Sequence, residues 1–84
     1  MPTPEVIEKV RQLRGELAAA QPASPDAARI AKQIDDVLAE PGHAPHYAGL
    51  GDRLRQAAAG LEGEYPQLAA AMTTVLNALS AAGV

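Results

Sequence analysis

A small all-α domain, an antiparallel helical bundle made of two helical hairpins, is the fold class this sequence predicts. Three observations lead there. Apolar residues recur at steps of three and four in four successive segments, the spacing that gathers side chains on one helix face. Two of those segments open on the same signal, a hydroxyl residue followed by proline and a carboxylate. No stretch alternates with the period of two that a half-buried strand requires.

Thr3-Pro4-Glu5 is the first start signal: a hydroxyl N-cap, proline in the first turn, then a negative charge at the positive end of the helix dipole. Val6, Val10, Leu13, Leu17 and Ala20 continue it as one stripe, with Glu8, Arg11, Gln12 and Glu16 off it, so a helix is predicted over 4–20. Gly15 lies inside that segment at a cost of about 1 kcal/mol relative to alanine. Ser24-Pro25-Asp26 repeats the signal, and Ala27, Ile30, Ala31, Ile34, Val37 and Leu38 form the second stripe. Pro41 disfavours helix at the residue before it and Gly42 follows, which ends the second helix at 40. The short break between these helices predicts an antiparallel hairpin.

The stretch 41–49 (PGHAPHYAG) reads as a loop holding both histidines and Tyr47. A third helix is predicted over 49–63, with Leu50, Leu54, Ala57, Ala58 and Leu61 on its apolar face. The fourth, over 66–82, differs from the rest because 66–84 contains no charged side chain. Leu68, Met72, Val75, Leu76 and Leu79 share an arc of about 100°. Gly63 and Pro66 favour a break between the last two segments; the alternative is a single kinked helix.

Composition narrows the function classes. With 84 residues the chain makes one domain near the size at which a single core is marginal, and its core is aliphatic, lacking Phe and Trp. Such chains often gain burial by association. A net charge of −3 argues against nucleic acid, whose phosphates need a basic stripe. Without cysteine there is no disulfide framework and no thiol nucleophile. The N-terminus has acidic residues where a secretory signal carries basic ones. The uncharged C-terminal segment is long enough to raise a membrane question, but its polar residues lie on one face and no basic flank or aromatic belt borders it. It reads as a packed helix.

Few constellations could carry chemistry. His43 and His46 form an H-x-x-H with Asp52 a few residues on, which could begin a Zn²⁺ site; such sites need three or four protein ligands, and no third is evident. Ser24 reads as an N-cap and Ser80 lies on the outer face of the fourth helix, so neither is an activated nucleophile. Asp35-Asp36 with Glu40, and Glu62 with Glu64, read as solvated carboxylates. An acidic four-helix domain of this size invites comparison with acyl carrier proteins, but Ala23-Ser24-Pro25 lacks the Asp-Ser-Leu motif that carries their prosthetic group. No enzyme and no cofactor are expected. The remaining candidate is the outer face of the fourth helix. There Gln67, Ala70, Thr74, Asn77, Ala78 and Ala81 make a smooth surface fitting a homo-oligomer seam or a docking groove for an unidentified protein partner. A ligand- or metal-binding module built on the His43–His46 loop is the alternative.

Leu61-Glu62-Gly63-Glu64-Tyr65-Pro66-Gln67-Leu68, followed by Leu76, Leu79 and Gly83-Val84, resembles a family of short bacterial proteins of unknown function. That family's pattern is Phe-Glu, two residues, His-Pro, one residue, Leu, closing in Gly-Ile. Glu62, Pro66, Leu68 and Gly83 match it, while Leu61, Tyr65 and Val84 stand in place of the Phe, His and Ile. The resemblance implies a bacterial, cytoplasmic setting and an all-α fold. It implies no activity and no catalytic residue.

Overall fold

The computed structural model describes residues 3–83, so Val84, the last residue of the pattern above, lies outside the described residues. Four helices follow one another: α1 (Pro4–Ala20), α2 (Pro25–Ala39), α3 (Ala44–Leu61) and α4 (Pro66–Ala81). Each begins with a proline in its first turn, where the missing N–H would have no intrahelical partner and the fixed φ suits the helix. Each helix packs on its sequence neighbours, and α4 closes the ring against α1. Diagonal pairs do not meet among the described residues. The result is a four-helix bundle with short connections.

The stripes read from the sequence become its interior. Val6, Val10, Leu13 and Leu17 of α1 meet Ala27, Ile30, Ile34 and Val37 of α2. Leu50, Leu54, Ala57, Ala58 and Leu61 of α3 meet Leu68, Met72, Val75 and Leu79 of α4. Ala31, Leu38, Leu76 and Ala82 are half-buried at the margins. No polar or charged residue is buried among the described residues, so the core needs no internal hydrogen-bond network. The radius of gyration, 11.5 Å, is close to the ~12 Å expected of a chain this long that closes its own core.

Caps and ion pairs are peripheral. The Thr3 hydroxyl accepts the Val6 N–H at 3.3 Å, as its start signal predicts. Ser24 occupies the same position on α2, yet its side chain makes no capping bond. Arg14 of α1 donates to Asp35 of α2 at 3.0 Å across the first hairpin. Both groups are substantially exposed, and such a pair contributes about 1 kcal/mol at most.

One boundary differs from the sequence expectation. The third helix begins at Ala44, not at 49, because Pro45 stands inside its first turn rather than in a loop. The histidines and Tyr47 therefore belong to the start of a helix. The third and fourth segments are separate helices, the alternative that Gly63 and Pro66 favour, parted at Glu62–Tyr65; the Tyr65 N–H bonds the Leu61 carbonyl at 2.8 Å.

The end of α1 stores strain. Gln21 closes it at φ 45°, a left-handed conformation that glycine adopts freely and other residues at a cost. Gln21→Gly is expected to stabilise the domain by about 1 kcal/mol despite glycine's more flexible unfolded chain. Gly15 presents the opposite case, mid-helix and exposed, with open space where a Cβ would stand. Gly15→Ala is expected to gain about 0.5–1 kcal/mol. Urea denaturation midpoints read both, and a lowered midpoint for either variant would contradict this account.

Candidate functional site

The two surfaces singled out from the sequence lie in different parts of the bundle. The first is the turn between α2 and α3. Tyr47, one turn into α3, is fully buried, and its hydroxyl donates to the Pro41 carbonyl at 2.6 Å. Burial pushes its phenol above the ordinary value of 10.0, which keeps the donated proton in place. The ring thus ties the start of α3 to the end of α2.

His43 is the N-cap residue of α3 and makes no capping bond through its side chain. His46 lies one turn on, with its ring 4.3 Å from that of His43 and tilted by 55°. Its Nε2 meets Glu40 Oε1 at 3.1 Å. Glu40 is the member the sequence reading left among solvated carboxylates. It closes α2, and the tight Pro41-Gly42 turn folds it back onto the histidine. The hydrogen bond from His46, then the fields of His46 and His43, hold the Glu40 carboxyl below its ordinary 4.5.

The structure does not bring Asp52 to the histidines; it pairs with Arg55 at 3.1 Å on α3. Among the described residues, no group of three or more His, Cys, Asp or Glu side chains is gathered so as to hold a metal ion. The arrangement is a clasp on a turn.

The second surface is the outer face of α4. Gln67, Ala70, Thr74, Asn77 and Ala81 are exposed there, together with Thr73 and Ser80. Ala78 departs from this set. It is half-buried beside Thr3, Glu5 and Val6 of the α1 start. The two threonines make the face more apolar than the sequence indicates. Thr73 donates to the Ala69 carbonyl at 3.1 Å and Thr74 to the Ala70 carbonyl at 3.0 Å, so both hydroxyl protons are engaged by the helix itself. No helix among the described residues is long and apolar enough to cross a membrane.

A family model described as a domain of unknown function (DUF4404) matches residues 6–84. No curated protein and no solved structure matches the chain.

The clasp generates a pH prediction. A carboxyl whose folded-state pKa is lowered adds stability that is present above its unfolded value and is lost as pH falls through the folded one. For Glu40 that window lies at and below 4.5. An NMR titration of its side-chain carbon is expected to give a midpoint under 4.5, and His46→Gln is expected to move it back up. An unchanged midpoint in that variant would remove His46 as the cause.

Proposed function

The chain belongs to this family, and we propose that it is a small non-enzymatic interaction module that pairs with a second copy of itself through the outer face of α4. The observation that carries the reading is electrostatic. Across Pro66–Ala81 there is no charged side chain, whereas each of the other helices carries charges and the whole chain has a net charge of −3. Any other pair of faces brings like charges together or strips water from ions. Two α4 faces do neither.

A two-fold seam also requires self-complementarity, since the same patch serves both sides. Asn77 and Gln67 supply it, because an amide both donates and accepts. Ala70, Thr74 and Ala81 allow close approach of the backbones.

The size of the face sets the strength. A helix of 16 residues is about 24 Å long and roughly 10 Å across, well under the ~800 Å² per partner of a standard stable interface. The pairing is therefore weak and reversible, an association between folded copies whose cores are already closed. The resemblance noted in the sequence supports a bacterial, cytoplasmic setting, and the acidic balance supports a partner that is protein rather than nucleic acid or membrane. The histidine alternative gains no support from a turn whose His43, His46 and Glu40 side chains are not gathered so as to hold a metal ion.

Light scattering after size exclusion over a hundredfold concentration range is expected to show mass rising from monomer toward dimer. Asn77→Arg places a charge at the centre of the seam and is expected to weaken pairing at least tenfold, by the cost of an unpaired buried charge. Gln12→Arg, on an exposed position of α1, is expected to leave it intact. Monomer mass at every concentration would overturn the proposal.

A further inference from the structure

At the end of the bundle opposite the histidine clasp lies a cleft of about 370 Å³ that shares only Gln67 with the seam proposed above. Its walls come from three places: Glu16, Ala19 and Ala20 near the end of α1, Glu64 and Tyr65 in the turn before α4, and the first residues of α4. Its volume falls within the range of small-molecule sites, which pair an apolar lining with a few polar groups.

We propose that this cleft binds the ammonium end of a small aliphatic amine. The floor supplies the apolar part, through buried Leu68 and half-buried Ala20 and Tyr65. Tyr65 adds an aromatic ring to the lining, a group to which cations are attracted. Glu16 and Glu64 set the sign of the ligand. Neither forms an ion pair among the described residues, and no basic side chain lines the cleft.

One feature opposes a cation. The cleft contains the start of α4, whose N-cap residue Tyr65 makes no side-chain capping bond, leaving the positive end of the helix dipole uncovered. That end amounts to roughly half a positive charge, against two full negative charges on the carboxylates. The net charge at the cleft remains negative, which disfavours an anion there. An alkyl chain over Leu68 and Ala20, with its ammonium between Tyr65 and the glutamates, uses every part of the lining.

The test is an NMR titration of the full chain with n-butylammonium chloride, with sodium chloride at matched ionic strength and n-butanol as controls. Saturable shifts confined to Ala19, Ala20, Tyr65, Gln67 and Leu68 are expected with the amine alone. A Glu16→Gln, Glu64→Gln double variant is expected to weaken binding by at least about threefold, the effect of two exposed charges. Both positions are exposed, so the variant is expected to fold, and its spectrum verifies that independently. Equal shifts with sodium, equal shifts with butanol, a non-saturating response, or full retention in the double variant would each overturn the proposal. Repeated on Asn77→Arg, where the seam is broken, the titration is expected to give the same amine binding, so this test does not depend on that of the α4 seam although Gln67 borders both surfaces.

Discussion

Burial of a core that is aliphatic but for Tyr47, by helices that are each apolar on one face, is the constraint from which the rest follows. With no Phe or Trp and only one fully buried aromatic ring, each residue contributes little apolar area, so the helices gain by approaching closely. Small residues at the contacts allow it. Gly51, Ala57 and Ala58 on α3 and Ala69 on α4 are buried, and Gly51 faces Leu79 of α4, whose Cδ1 a Cβ there would meet at an ordinary contact distance of 3.6 Å. Once closed, the interior holds few polar atoms: the Tyr47 hydroxyl, which the Pro41 carbonyl accepts, and the Gln33 side-chain oxygen, which has no partner among the described residues.

Most of this was legible in the sequence. Large apolar residues at steps of three and four marked the four buried faces, and the predicted stripe of α3 is buried throughout. The signal was weaker where small residues take part. Ala69 and Gly51 are buried although neither belongs to a hydropathy stripe, because their burial follows from helix proximity and not from their own transfer energy. The start of α3 was missed for a different reason. Pro45 stands in a first turn just as Pro4, Pro25 and Pro66 do, but it lacks the hydroxyl residue and carboxylate that flank Pro4 and Pro25. Next to Gly42 it read as a loop residue. Prolines recurring at nearly equal intervals along the chain were the available clue.

The candidate surfaces were legible in different degrees. The uncharged face of α4 is a property of composition on one helix and survives folding almost unchanged, apart from Ala78, which the start of α1 covers. The histidine cluster depends on tertiary geometry. Spacing alone suggested Asp52 as a companion, yet the turn delivers Glu40, because Pro41 and Gly42 reverse the chain just after α2 ends. The same turn explains why Tyr47 is buried. A short reversal brings a backbone carbonyl within reach of its hydroxyl, and the ring then has an apolar interior for its body and an acceptor for its tip.

The chain's two tyrosines show how one residue type serves opposite purposes at the two ends of α3. Tyr47 enters the core and is fixed by the Pro41 carbonyl, so its end of the bundle is sealed and its neighbours His43 and His46 are held as surface groups on a rigid turn. Tyr65 stands one residue before α4, where Gly63 lengthens the connection, and it is only half-buried against the core. That end stays open, and the two glutamates beside it give the opening a sign. Sealing one end stabilises the hairpin that carries α3, while the incompletely covered joint between α3 and α4 leaves a concave surface. In a domain whose core is closed, recognition acts through surface features, and these are the two on which our proposals rest: the neutral face of α4 and the acidic cleft at its start.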